Sequence, residues 1–199
     1  MGSSTRASEP AIHSDKHGPP QSHVALLRGI NVGGKNKMPM RELVSLFAEA
    51  GATDIETYIQ SGNVVFNAST TVANSISRVV AARIVKRFGF RVPVIVRSAR
   101  AFRDVLKKNP FPQAESEPTT LHVAFLADRP TKSAIAALDP KRSPGDAFAV
   151  VGAEVYLHLP NGAADTKLTN AYFDSTLKTI STGRNWRTVL AIAELLDGA

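Results

Sequence analysis

The stretch ETYIQSGNVVF, from Glu56 to Phe66, constrains the fold most. Two runs with strand character, IETYI and NVVF, flank Ser61-Gly62, which is tight-turn chemistry. A hairpin here makes the surrounding sheet antiparallel. Before it comes a continuous apolar strand over 23–28. A helix follows from Pro39, with Leu43, Leu46, Phe47 and Ala50 on one face and Gly51 at its end. After the hairpin, Ser69 or Thr70 caps a helix whose buried side is Val72, Ile76, Val79, Val80, Ile84 and Phe88. Gly89 stops it. VPVIV is the next strand, and a helix covers 99–108. The order β-α-β-β-α-β is that of a ferredoxin-like split βαβ unit. In that topology strands one and three are central. The polar Glu56 and Gln60 suit an edge, as does Pro93, which lacks a ladder donor.

NPFPQAESEP (109–118) reads as a linker. Beyond it the chain reads β (LHVAFLA), α from about Thr131, a hairpin (AFAVV, EVYLHL) around Gly152-Ala153, and two helices. The last starts near Asn185, with Trp186, Val189, Leu190, Ala193 and Leu196 toward the core. This is β-α-β-β-α again, with a second helix in place of the fourth strand, a duplication without obvious sequence repetition. The expected class is α+β: two ferredoxin-like (split βαβ) halves, antiparallel sheets with helices packed on one face. The expected division is a disordered leader over 1–22, half one over 23–108, the linker, and half two over 119–199.

Of 199 residues, none is cysteine, which excludes a disulfide framework and thiolate chemistry. No apolar run approaches a membrane span. The leader lacks the apolar core of a signal peptide, so a cytoplasmic location is expected. No spacing suggests a metal site, and nothing calls for a cofactor. Oligomeric state is not legible. Net charge is +7, concentrated in residues 23–108, with 14 basic against 5 acidic side chains. That favours an anionic small molecule or nucleic acid as partner, and no membrane.

The glycine-rich loop LLRGINVGGKNKMP imitates a phosphate-binding loop, since Gly29, Gly34 and Lys35 satisfy Gly-x-x-x-x-Gly-Lys. It departs from one on three grounds. Asn36 offers no hydroxyl for a metal, Pro39 would break a helix starting at Lys35, and the antiparallel hairpin contradicts the parallel sheet. Gly33 and Gly34 still let backbone N–H groups approach a ligand. Lys35, Lys37 and Arg41 gather at a helix N-terminus, where an anion is favoured. Split βαβ topology places Gln60, Ser61 and Asn63 beside this loop. STGRNWRTVL adds Arg184 and Arg187 at the start of the last helix, with Ser181, Thr182 or Asn185 as its cap. Trp186 reads as core, and His122 and His158 as satisfied structural histidines.

With LLRGINVGGKNKMPM, TYIQSGNVVF, VYLHLPNG and TGRNWRTV in view, the chain resembles the largely bacterial domain-of-unknown-function family numbered 1697, over roughly 23–197. The resemblance implies two ferredoxin-like α+β halves and no established activity. Arg28, Asn31, Gly33, Lys35, Asn36, Ser61, Asn63, Arg184 and Asn185 lie at its signature positions. Where a Ser-Lys pair is expected, this chain has Thr166-Lys167.

Two functional readings stay open. One is a binding module for a phosphate-bearing ligand, a nucleotide or nucleic-acid backbone. Its site would be Arg28, Asn31, Gly33, Gly34, Lys35, Asn36, Ser61, Asn63, Arg184 and Asn185. A variant uses the ten Lys and Arg residues of 78–108 as a phosphate-tracking face. The alternative is a small enzyme acting on a phosphorylated or carboxylated substrate at the same site, although no base for Ser61 is evident.

Overall fold

The computed structural model describes residues 19–198. Most of the expected leader, residues 1–18, lies outside that range. β1 (Gln21–Leu27), β2 (Thr53–Tyr58), β3 (Asn63–Ala68) and β4 (Val94–Ser98) form an antiparallel sheet in the order β2-β3-β1-β4. β1 is central and fully buried from Val24 to Leu27, as its unbroken apolar run requires. α1 (Met40–Glu49) and α2 (Thr70–Phe88) cover one face. Pro39 is the N-cap of α1, Ser69 caps α2 through its side chain, and Gly89 ends α2 at a φ of 77°.

The second half repeats this plan. β5 (Leu121–Leu126), β6 (Ala147–Val151), β7 (Glu154–His158) and β8 (Ser181–Asn185) pair in the order β6-β7-β5-β8. α4 (Lys132–Ala136) and α5 (Asn170–Leu177) lie on its outer face. α3 (Ala99–Lys107) and α6 (Trp186–Gly198) follow the fourth strand of each half and sit between the two sheets. There Phe102 stacks on Phe125 at 5.6 Å, and Trp186, Val189, Ile192 and Leu196 complete a core shared by both halves. Tyr156 is buried in this core and donates to the Val105 carbonyl at 2.8 Å.

Two expectations need correcting. The fourth strand of the second half exists: it is β8, and its five residues are those read as a helix start. STGRN contains no apolar residue and two poor strand formers, so neither period nor propensity marks it. Its burial comes from pairing with β5 and from side-chain hydrogen bonds, of Ser181 to Asp174 within the half and of Arg184 to the other half. The β2–β3 connection is also longer than a two-residue turn. Tyr58 pairs with Asn63, and Ile59–Gly62 form the loop. Asn63 Nδ2 donates to Tyr58 O at 3.1 Å and to Ser61 Oγ at 3.0 Å, which holds the wider loop closed. Within the linker, Pro112–Ser116 form a short 3₁₀ turn.

The repetition reaches individual residues. Val24 of β1 lies opposite Arg97 of β4, and Val123 of β5 lies opposite Arg184 of β8. His23 pairs across the sheet with Ser98, and His122 with Asn185. Ser98 caps α3, and Asn185 accepts from Thr188 N at 2.9 Å at the start of α6.

Candidate functional site: a cleft at the junction of the halves

The loop after β1 is a small closed hairpin rather than a phosphate cradle. Asn31 N donates to Asn36 O at 3.2 Å and Lys35 N to Val32 O at 3.1 Å, leaving Gly33-Gly34 at the tip. Asn31 and Asn36 both adopt left-handed conformations, at φ 54° and 49°, which their short polar side chains tolerate. Asn36 Nδ2 ties back to Gly29 O at 2.9 Å. Asn31 bonds Met38 N and O and donates to Gln60 O at 3.0 Å. The loop and the β2–β3 turn are therefore neighbours. α1 begins only at Met40, so Lys35 sits at the exposed loop tip, away from any helix dipole.

Arg184 is 9% exposed. Its Nε donates to Asn63 Oδ1 at 2.5 Å, Nη1 to Thr182 Oγ1 at 2.9 Å and Gly183 O at 2.8 Å, and Nη2 to Leu27 O at 2.7 Å and Gly62 O at 3.2 Å. Every acceptor is neutral. Burial pulls its pKa down to about 10, so the guanidinium stays charged at neutral pH. This guanidinium sits in strand β8 and not in the first turn of α6, where only the exposed Arg187 lies.

Arg97 does the reciprocal. Its Nε donates to Glu154 Oε1 at 2.9 Å, and Nη2 to Leu126 O at 2.6 Å and Ala153 O at 3.2 Å. Each arginine thus leaves the fourth strand of its own half, bonds the last carbonyl of the other half's first strand, and meets the first residue of its third strand. That residue is Glu154 for Arg97 and Asn63 for Arg184.

Arg28, Ser61, Thr182, Arg184 and Asn185 line one cleft of about 460 Å³ between the halves. Val32 and Ile59, 61% and 53% exposed, stand on its rim. Ile59 holds a φ of 49°, a strained conformation for a β-branched residue. Arg28 Nη1 donates to Asp174 Oδ2 and to Ser181 O at 3.2 Å. Its Nε and Nη2 have no protein acceptor among the described residues, so two donors remain for a ligand. Asn31 and Gly34 line a separate depression of about 350 Å³ with Lys37, Pro39 and Gln60. Gly33, Lys35, Asn36 and Asn63 line neither space. Of the expected set, then, the cleft brings together Arg28, Ser61, Arg184 and Asn185.

Five of the ten residues of the 78–108 basic face are in ion pairs, Lys108 with Asp104 among them. Arg83 and Arg87 bond Glu49, Arg97 bonds Glu154, and Arg103 bonds Asp197. Thr166 donates to Asp146 Oδ2 at 2.7 Å, which fixes the segment where the Ser-Lys pair was expected. His122 departs from expectation, because its Nδ1 is buried without a partner. Asp174, Asn170, Val32 and Ile59 escaped the sequence reading as site residues, and Arg97 entered it only as one of the ten basic residues of 78–108. Two signals were present for the repeat: HVALL (23–27) against HVAFL (122–126), and RSAR (97–100) against RNWR (184–187).

Among the described residues, no helix is long and apolar enough to cross a membrane, and no cluster of three or more His, Cys, Asp or Glu could hold a metal ion. No curated protein matches the chain. A solved structure, that of the conserved bacterial protein SP0830 from Streptococcus pneumoniae, is similar in fold at a TM-score of 0.64 and 22% identity, covering 89% of this chain and 99% of that one. Residues 21–156 match the family described as Protein of unknown function (DUF1697), and the chain belongs to that family.

Proposed function

We propose that the protein binds a phosphate-bearing anionic ligand, a nucleotide or nucleic-acid backbone, in the cleft between Arg28 and Arg184. One observation carries this reading. Arg97 and Arg184 are equivalent, yet Arg97 meets a carboxylate and Arg184 meets an amide. A buried charge without a countercharge costs several kcal/mol. An anion above Arg184 offsets that cost without bonding it directly, because a fixed buried charge acts through its potential. The unengaged Nε and Nη2 of Arg28 supply direct, charge-assisted donors. The cleft lining includes no histidine or carboxylate to activate Ser61, whose Oγ already accepts from Asn63. Binding is therefore favoured over catalysis.

The test is the melting temperature at low salt with inorganic phosphate, adenosine monophosphate or a short RNA, for the wild type and for Asn63→Asp. That substitution places a carboxylate where Arg97 has one. A ligand at about 100 times its Kd stabilises by about 2.7 kcal/mol, or several degrees. We expect this shift in the wild type and its loss in Asn63→Asp. No shift with any of the three probes defeats the reading. A steep fall in affinity with salt identifies nucleic acid as the partner.

A further inference from the structure

We propose that a second pocket, behind Gly183, is a binding site for a single aromatic ring bearing a hydroxyl or N–H group. The pocket has a volume of about 180 Å³ and lies between β5, β7 and α5. His122, Leu157, Leu168, Phe173 and Thr166 line it, and Asn170 and Gly183 line both it and the cleft.

The first half shows what this space holds when it is filled. There His23 lies across from Phe66, the rings stack at 5.5 Å, and Phe47 packs on Phe66 at 5.3 Å. In the second half the residue across from His122 is Leu157. No protein ring stacks on His122 among the described residues, and the missing aromatic volume is the pocket. A cavity of about 150 Å³ lined by apolar side chains accepts benzene, so this one is sized for a single substituted ring.

The two histidines also differ in their hydrogen bonds. His23 Nδ1 bonds the Gln21 carbonyl, two residues back, at 2.6 Å. The corresponding carbonyl of Thr120 accepts from Leu159 N at 2.7 Å, and His122 Nδ1 is left buried without a partner. Among the described residues His122 Nδ1 makes no hydrogen bond, and the backbone of Thr120 acts on the ring less strongly than burial does. The imidazole therefore offers hydrogen-bonding capacity in a largely apolar chamber whose other polar side chains are Thr166, Thr169 and Asn170, which suits a phenolic hydroxyl or a heterocyclic N–H.

Gly183 stands at the boundary of the two spaces and lines both. Its backbone is not in the left-handed region, so conformation does not demand glycine. A Cβ there would stand 3.6 Å from Asn170 Oδ1, narrowing that boundary. A ring in the pocket can carry its anionic substituent past Gly183 toward Arg28; that part alone rests on the cleft reading above.

The probes are phenol, inorganic phosphate and phenyl phosphate, followed by nuclear magnetic resonance of the His122 imidazole and the backbone amides. Leu157→Phe restores the aromatic of the first half, and Ala124→Val narrows the same chamber should the first variant misfold. Phenol is expected to shift the His122 resonances saturably in the wild type and in neither variant. Phenyl phosphate should bind at least about tenfold tighter than inorganic phosphate in the wild type, and no tighter in Leu157→Phe, a difference of about 1.4 kcal/mol. If phenol leaves His122 unmoved, or moves it equally in Leu157→Phe, the ring site is overturned. Movement of His122 by phenol with no response to inorganic phosphate supports the ring site and counts against the cleft reading.

Discussion

Arg97 and Arg184 are the same residue of a duplicated fold, and each reaches into the other half to close it. Arg97 crosses to Glu154 and Leu126, and Arg184 to Asn63 and Leu27. Both halves therefore depend on a guanidinium that is not their own. The difference between the clamps lies at one acceptor, and it separates a closed ion pair from an uncompensated charge.

Arg184→Met tests the clamp as a stability element. The variant keeps apolar bulk but takes the Arg184 donor away from the Leu27 carbonyl and from Asn63 Oδ1, while the Gly62 carbonyl still accepts from Leu27 N. A buried neutral acceptor left unmet costs about 1–3 kcal/mol, partly offset here because the buried charge of Arg184 is removed with it. The expected result is a urea midpoint lowered accordingly, with a single unfolding transition, because α3 and α6 keep the halves in one core. A loss below about 1 kcal/mol would show that water serves these carbonyls as well as the arginine does.

Glu154→Gln makes the Arg97 clamp resemble its twin. The Arg97 and Glu154 side chains are only 13% and 15% exposed, so solvent screens their attraction weakly. The amide keeps one acceptor for Nε and removes the charge. A loss of about 2–4 kcal/mol is expected in urea denaturation, because the Arg97 guanidinium keeps one hydrogen bond but loses its countercharge. The phosphate response should be unchanged, since Glu154 lies at the other clamp.

Gly62 and Gly33 both have positive φ, at 78° and 57°, but only one is enclosed. A Cβ on Gly62 would stand 2.7 Å from Leu27 Cβ and 3.0 Å from Ile30 Cδ1, whereas one on Gly33 meets nothing within 4 Å. Gly33→Ala should therefore cost about 1 kcal/mol from backbone strain alone, and Gly62→Ala about 2–4 kcal/mol from strain plus overpacking. Thermal unfolding of the two variants side by side checks the order. Equal losses would mean that the β2–β3 turn gives way freely.

The sequence was legible wherever burial was apolar and periodic. β1, α1, α2 and α6 announce themselves by such patterns, and the hairpin fixes the sheet as antiparallel. β8 was not legible, because its buried Ser181, Thr182 and Arg184 are polar and only their tertiary partners, Asp174 for Ser181 and Asn63 and Leu27 for Arg184, account for their burial. The site suffered from the same blindness. The proximity of Ser61 to the glycine-rich loop follows from topology, whereas the Arg28–Asp174 and Arg184–Asn63 contacts join the two halves and depend on how they dock. The Gly-Lys pattern drew attention to Lys35, yet the Val32–Lys35 bridge closes a small exposed hairpin and Lys35 does not line the cleft. The duplication was readable in HVALL against HVAFL, a repeat too short to stand out without the paired arginines.

His122 gives the fold an acid-sensitive point. Burial holds its pKa below the ordinary histidine value, opposed more weakly by the backbone of Thr120. No charged side chain lines its pocket, so desolvation governs the shift. In the unfolded chain the imidazole returns to a pKa of about 6.5. Below that pH the unfolded state takes up a proton that the folded state resists, so stability falls as pH falls and is flat above it. One proton sets an upper limit of about 1.4 kcal/mol per pH unit. His122→Gln, which does not titrate, should remove this component. Urea denaturation of both proteins between about pH 7.5 and about pH 5.5 measures it, with the wild type losing more stability than the variant across that interval. Parallel curves would show that the His122 imidazole takes up its proton as readily in the folded chain as in the unfolded one.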